Sequence, residues 1–171
     1  MDMSLSIHVW PTLFLLYIIA ERLIELPIAA RNTRRLKAQG GVEHAPGHYP
    51  LIVAVHAGWI IAMVLFGHDN LISSFWLIVY VVLQLLRLYI LGTLGRRWTT
   101  RIIVVPGEQK VTKGPFALVP HPNYLLVIAE IMVAPLVLGL WEVAAIFGAL
   151  NAAVLVIRVS AEERAWASLS R

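Results

Sequence analysis

The stretch Asn123–Val159, NYLLVIAEIMVAPLVLGLWEVAAIFGALNAAVLVIRV, decides the architecture. Its only charged side chains are Glu130, Glu142 and Arg158. A helix that crosses a bilayer core takes about 17–25 apolar residues, so the stretch divides into two spans, from Asn123 to about Leu140 and from Trp141 to Val159. Only GLWE joins them, which predicts a tight antiparallel helical hairpin. Working outward, three more segments qualify: about Ile7 to Ile28, about Pro50 to Phe66 (PLIVAVHAGWIIAMVLF), and about Leu71 to Leu94, interrupted only by Gln84 and Arg87. The alternation and closely spaced Gly and Asn turns of a β-barrel are absent. The expected fold is all-α, one membrane-embedded domain of five transmembrane helices.

Composition agrees. Of 171 residues, 59% are hydrophobic and 14% charged, against about 25% charged in ordinary soluble domains. So few charges cannot clothe so apolar a chain in water, which excludes a soluble globular enzyme. Disorder and a disulfide scaffold are excluded too, since the chain is apolar and has no cysteine. The six histidines show no ligand spacing, which argues against a structural metal. The opening segment lacks a basic start and a small-residue cleavage site and reads as a retained span.

Orientation follows from Lys and Arg. Arg31, Arg34, Arg35 and Lys37 fall in the first loop; Arg96, Arg97, Arg101, Lys110 and Lys113 fall in the third; Arg164 and Arg171 follow span five. The N-terminal segment, GHDN at Gly67–Asn70 and the GLWE turn carry none. Cytoplasmic loops hold the excess of Lys and Arg, so the N-terminus is expected outside and the C-terminus in the cytoplasm. The net charge of +4 reads as membrane orientation before nucleic-acid binding.

Ionisable groups within spans cost about 2.5–3.5 kcal/mol each at the bilayer centre, yet Glu21, Arg22, Glu25, His56, Arg87, Glu130 and Arg158 all lie in or near them. At 1.5 Å per residue, His56, Arg87 and Glu130 sit at a common depth of about 9–12 Å from the cytoplasmic ends. A polar cavity open to the cytoplasm accounts for this. Other readings stand beside it. Arg22 and Arg158 are near enough to span ends to snorkel, His56 alone suits a satisfied packing histidine, and Arg87 with Glu130 suits a buried structural bridge.

The segment Val111–Glu130, VTKGPFALVPHPNYLLVIAE, places three prolines and a glycine between Gly114 and Pro122. They are expected to prevent a helix there and fix an extended, turning backbone. Pro122 suits the first turn of span four, where a missing N–H sacrifices no bond. A rigid loop at a helix N-terminus suits a carboxylate or phosphate; plain turn punctuation is the alternative.

GPFALVPHPNY, followed by Glu130, Pro135 and then Arg158, Glu162 and Glu163, resembles the isoprenylcysteine carboxyl methyltransferase family, over roughly Arg97 to Ala167. The segments AERLIELPIAARN, GHYPLIVAVH and TTRIIVVPG are similar to bacterial members that methylate alkylpyrone or phenolic lipids. The resemblance implies an S-adenosylmethionine-dependent O-methyltransferase with no soluble nucleotide-binding domain; indeed no G-x-G-x-x-G follows a strand here. Carried over residue by residue, it implies cofactor binding by Gly114, Pro115, Phe116, His121, Pro122 and Tyr124 with Arg158, Glu162 and Glu163. Three positions depart from the family pattern: Phe116 replaces Tyr, Leu126 replaces a common Gly, and Pro120 replaces the Arg before His-Pro. Arg101 and Lys113 are cations available in its place.

The implied reaction methylates a carboxylate, phenol or enol oxygen on a lipid-like acceptor, a prenylated cysteine or an alkylpyrone, at the inner leaflet of a bacterial cytoplasmic membrane, with the active site facing the cytoplasm. A carboxylate is already ionised at neutral pH; a phenol or enol needs a base, for which His121, His56 and Glu130 are candidates. The expected catalytic set is His121, Glu130 and Arg87, with Glu130 and Arg87 facing the acceptor and His121 with the terminal Glu pair facing the cofactor. Competing readings are a phospholipid N-methyltransferase, which would want more acid than Glu130 alone, an NADPH-dependent membrane reductase, and a small transporter subunit, against which stands the lack of repeated halves.

Overall fold

The computed structural model describes residues 3–169. The protein is mostly helical: α1 Met3–Ala38, α2 Tyr49–Gly67, α3 Ser74–Leu94, α4 Pro115–Leu118, α5 Pro122–Val137 and α6 Trp141–Leu169. Two three-residue strands, β1 Val42–His44 and β2 Ile102–Val104, add an antiparallel ribbon that the sequence reading did not anticipate. Among the described residues, three helices are long and apolar enough to cross a membrane, those over Pro46–Gly67, Ser74–Arg97 and Trp141–Ala167; Pro122–Val137 is a shorter apolar helix.

The central element is α5. Leu126, Glu130, Ile131, Val133, Ala134, Pro135, Leu136 and Val137 are all buried along it. Its 16 residues extend about 24 Å at 1.5 Å per residue, less than the roughly 30 Å of a bilayer core. A helix so enclosed by protein has little need to match hydrocarbon thickness. Pro135 has no N–H to return to the Ile131 carbonyl, and the Trp59 indole of α2 donates to that carbonyl instead, at 3.1 Å. One side chain thus satisfies a buried acceptor and locks α2 to α5. Trp59, Met63, Ile18, Tyr80, Ile131, Val137 and Leu138 close the core around this contact.

Leu138–Leu140 connect α5 to α6. The Leu140 N–H donates to the Pro135 carbonyl at 2.9 Å and the Gly139 N–H to that of Leu136 at 3.1 Å, so the carbonyls at the end of α5 are met locally, as a buried helix end requires. The Asn70 amide donates to the Leu138 carbonyl at 2.8 Å. Outward-facing residues are apolar: Leu23, Leu65, Leu88, Ile146 and Val156 are among many exposed large side chains. Apolar exposure on that scale suits hydrocarbon, not water.

α1 runs ten residues past the expected end of its span, through Pro27 to Ala38. Arg35 and Lys37 occupy its last turn, where cations complement the helix dipole. The chain then turns at Gly40, with the Gly41 N–H donating to the Leu36 carbonyl at 2.9 Å. A Cβ at Gly41 would stand 2.7 Å from that carbonyl oxygen, so only glycine permits the turn. Beyond it β1 pairs with β2, Val42 opposite Val104 and His44 opposite Ile102. Ile102 and Val104 then pack on Ala161 and Ala165 of α6. The ribbon therefore fixes the first loop over the end of the last helix.

Candidate active site

The proline-rich loop departs from the expected extended backbone in one respect. Residues Pro115–Leu118 make a single helical turn, α4, with Pro115 at its start, where the absent N–H costs nothing. Gly114 enters it at φ +58°, and a Cβ there would lie 3.1 Å from the Tyr89 hydroxyl and 3.2 Å from Thr93 Oγ1. The loop is thereby pressed onto α3. It leaves through His121, whose left-handed backbone (φ 51°, ψ 50°) is uncommon for a residue with a side chain. Pro122 opens α5, and the Tyr124 N–H donates to the His121 carbonyl at 2.9 Å.

That entry geometry stacks the His121 and Tyr124 rings, centroids 5.4 Å apart and planes 13° from parallel. Both face the end of α6. The Tyr124 hydroxyl donates to Glu162 at 2.5 Å and accepts from Arg158 Nε at 3.0 Å, while Arg158 Nη1 donates to the Thr100 carbonyl at 2.7 Å. The Arg158 guanidinium also lies over the Tyr124 ring, 5.4 Å from its centroid. His121 Nδ1 is 3.7 Å from Glu162 and Nε2 is 3.6 Å from Glu163. Residues four and five apart on α6 thus converge on one phenol and one imidazole from the start of α5.

These groups border a cavity of about 320 Å³. Of the expected cofactor residues, Phe116, His121, Tyr124, Arg158 and Glu162 line it. Glu163 lies on an adjoining shallow ledge with Glu108, Lys110 and Trp166. Gly114, Pro115 and Pro122 shape the backbone and are not among the cavity's lining residues. Leu36, Trp98, Arg101, Ile102, Val104 and Trp166 also line the cavity, and none was singled out for this role from the sequence except Arg101. Nothing in their local pattern marks them; the ribbon brings them in.

Glu130 and Arg87 occupy a second place. Arg87 of α3 is buried and donates to Glu130 of α5; its Nε meets Glu25 of α1 at 2.7 Å and Glu21 at 3.1 Å, and its Nη2 meets Glu25 at 2.9 Å. Arg22 reaches Glu25 at 3.0 Å and Glu130 at 3.2 Å. Gln84 donates to Glu130 at 3.2 Å, the Tyr80 hydroxyl to Glu21 at 3.4 Å, and the Tyr17 hydroxyl to Gln84 at 3.2 Å. Three carboxylates face two guanidiniums in this network. His56 Nδ1 donates to the Ile52 carbonyl of its own helix at 2.9 Å, the satisfied packing histidine that the sequence allowed. Neither Arg87 nor Glu130 lines the cavity that holds His121.

Outside the spans, the Lys37 ammonium meets the Glu43 carboxylate of β1 at 2.6 Å and Arg101 Nη1 meets it at 2.5 Å. The hydrogen bond from Lys37, helped by that from Arg101, holds the Glu43 carboxyl below the usual carboxylate range. Arg101 further lies over the Tyr49 ring, 4.3 Å from its centroid. The Asn32 amide of α1 donates to the Trp98 carbonyl at 2.8 Å and to that of Gly95 at 3.4 Å.

Comparison with known proteins adds four findings. The isoprenylcysteine carboxyl methyltransferase family matches residues 76–168. The chain is similar to the uncharacterized protein YpbQ of Bacillus subtilis (strain 168), 34% identical over 158 residues that cover 90% of this chain and 94% of that protein. It is similar to an uncharacterized protein of Haemophilus influenzae, 25% identical over 158 residues covering 89% and 92% of the two chains. No solved structure matches.

Proposed function

The chain belongs to the isoprenylcysteine carboxyl methyltransferase family, and we propose that it is an S-adenosylmethionine-dependent O-methyltransferase acting on a lipid-like acceptor at the inner membrane leaflet. The observation that carries this reading is the convergence of His121 and Tyr124 with Arg158 and Glu162 on one cavity. The proposed topology has five spans, with α5 and α6 as a hairpin, the N-terminus outside and the site on the cytoplasmic side. Its support is the distribution of Lys and Arg, which the ribbon and the α4 loop carry to the same end of the molecule as the cavity.

The donor set suits such a cofactor. An amino acid joined to a nucleoside needs acceptors for an ammonium and ribose hydroxyls, cations for a carboxylate, and flat apolar walls for a base. The cavity offers Glu162, then Arg158, Arg101 and Arg97, then Phe116, Trp98 and Trp166. Its volume lies at the lower end of the roughly 300–1,000 Å³ of small-molecule sites. When bound, the group supplies an electrophilic methyl carbon. The chain's own part is to hold the acceptor oxygen in line, worth about 7–11 kcal/mol of effective concentration, and to exclude water. Glu162 and Glu163 hold cationic or hydroxyl donors, Arg158 is fixed by Tyr124 and Thr100, and His121, flanked by two carboxylates, is placed to take a proton from a phenol or enol. Glu130 and Arg87 are assigned to the acceptor side, reached from lipid between the helices.

One observation favours a second reading. Glu21 and Glu25 join Glu130 around Arg87 and Arg22, so the acceptor side has the surplus acid that an amine substrate would want, as in phospholipid N-methylation. Methyl transfer from labelled S-adenosylmethionine in membranes, with a prenylcysteine, an alkylpyrone and phosphatidylethanolamine compared, separates the two. Label on the prenylcysteine or pyrone supports O-methylation, and label on the amine alone replaces it with N-methylation. Donor consumed with none of them would defeat the acceptor assignment, and donor never bound would defeat the reading altogether.

A further inference from the structure

The cavity's cations are not equivalent. Arg158 is buried and is held by the Tyr124 hydroxyl through Nε and by the Thr100 carbonyl through Nη1, with Glu162 across the same phenol. Arg97 is matched by Glu108 at 3.2 Å and by the Gln109 carbonyl at 2.8 Å. Lys110 lies over the Trp166 ring on a ledge that also carries Glu108 and Glu163. Arg101 differs. It shares its one carboxylate, Glu43, with Lys37, so two cations flank one anion and the group retains a positive charge. Its guanidinium is clamped between that carboxylate and the Tyr49 ring, and it lines the cavity. A planar guanidinium held in this way is pre-organised for a carboxylate or phosphate and loses little freedom on binding one.

We propose that Arg101 is the anion-binding residue of this cavity, presented to a ligand carboxylate or phosphate by Lys37, Glu43 and Tyr49. These three positioning residues lie before the residues that match the family, 76–168. The matched part therefore does not make the site alone: the end of α1, β1 and the start of α2 complete it. Two ligands carry suitable oxygens, the amino-acid carboxylate of an S-adenosyl cofactor and the phosphate of an anionic lipid headgroup. The first rests on the methyltransferase reading and the second does not.

The test uses full-length protein in nanodiscs and measures binding directly. One arm compares S-adenosylhomocysteine with its decarboxylated analogue. Wild type is expected to favour the carboxylate form about tenfold or more, the usual scale for a charge-assisted hydrogen bond, and R101Q to bind both alike. The other arm titrates phosphatidylglycerol against neutral nanodiscs; a preference for the anionic lipid that R101Q abolishes assigns the phosphate. R101K keeps the charge without the fork or the clamp and is expected to fall between. If R101Q fails to elute as a folded species, E43Q serves instead, since a released guanidinium should lose several-fold of the same preference. Discrimination that is unchanged in R101Q and E43Q, or absent from wild type in both arms, overturns the proposal. Failure of wild type to bind S-adenosylhomocysteine in any lipid overturns the methyltransferase reading and leaves the lipid arm to decide Arg101.

Discussion

Tyr124 and Glu162, 38 positions apart in sequence, meet in a hydrogen bond of 2.5 Å between the first turn of α5 and the far part of α6. The same phenol accepts from Arg158, so one hydroxyl mediates between a carboxylate and a guanidinium that would otherwise face each other across its ring. Tyr124→Phe keeps the stacked His121 ring but leaves both ions short of a partner. Hydrogen bonds to charged groups are worth about 1.5–3 kcal/mol, so S-adenosylhomocysteine affinity should fall about tenfold or more, together with a lower melting temperature. Calorimetric titration of the purified variant checks this. Undiminished affinity would remove Tyr124 from the cofactor site.

The Arg87 network predicts a different phenotype. Removing Arg87 leaves Glu21, Glu25 and Glu130 with Arg22 as their only cation in the network, and uncompensated buried charge costs about 3–5 kcal/mol. Arg87→Met should therefore lower the melting temperature sharply in detergent, whereas Glu130→Gln, which keeps shape and a hydrogen-bonding oxygen, should be mild. If Glu130 faces the acceptor, Glu130→Gln should depress turnover with cofactor affinity intact, and His121→Ala and Glu163→Ala should depress cofactor affinity. The reverse pattern would exchange the two assignments.

How much of this was legible in the sequence depends on what kind of contact made it. The common depth of Arg87 and Glu130 anticipated their meeting, because two charges in an apolar span have few other partners. That His121 and Glu163 approach was implied by the family resemblance, which sets the proline-rich loop and the end of the last helix around one cofactor. The ribbon was hidden. Strands of three residues carry no period to read, and the sequence offered Arg101 and Lys113 alike as cations for the site without choosing between them. Asn32, Leu36 and Trp98 were hidden too, since α1 was expected to stop near Ile28 and instead continues to Ala38, carrying Asn32 to the Trp98 carbonyl. The single turn at Pro115–Leu118 was missed because three prolines suggested extension, yet a proline at the start of a turn is compatible with one.

Gly114 gives a backbone prediction. At φ +58° a side chain is strained, and the Cβ of Gly114→Ala would press on the Tyr89 hydroxyl and Thr93. Strain of this kind costs about 1–3 kcal/mol. The expected result is a loop lifted from α3, seen as faster proteolysis between Lys110 and Lys113 and weaker cofactor binding, with the helices unchanged by circular dichroism. Loop protection equal to wild type would show that the close approach to Tyr89 does not hold the loop.

Glu43 predicts an acid limb. Its carboxyl is held below its ordinary range by Lys37 and Arg101, so the folded pKa lies under the unfolded value, about 4.3. The stabilisation is present above that unfolded value and is lost as pH falls through the folded one. Stability of the ribbon should be flat from neutral pH down to about pH 5 and should decline below it, and Glu43→Gln should flatten that decline. Melting curves of both proteins between neutral and acid pH check it; an identical acid limb in the variant would mean that other carboxyls set it.

Asn32 tests whether the end of α1 belongs to the site. Its amide is buried and donates to the carbonyls of Trp98 and Gly95, which follow α3 directly and lead into the cavity-lining stretch Trp98–Val105. Asn32→Ala leaves those carbonyls without this donor, a cost of about 1–3 kcal/mol for buried groups. Because Trp98 and Arg101 line the cavity, the loss should appear twice, as a lower melting temperature and as weaker binding of S-adenosylhomocysteine. Asn32→Asp discriminates a positional role from a merely steric one, since it preserves volume but turns a donor into an acceptor facing two carbonyl oxygens. It should be at least as damaging as Asn32→Ala. Binding that survives both substitutions while stability falls would show that the Asn32 contact supports the fold and not the cavity.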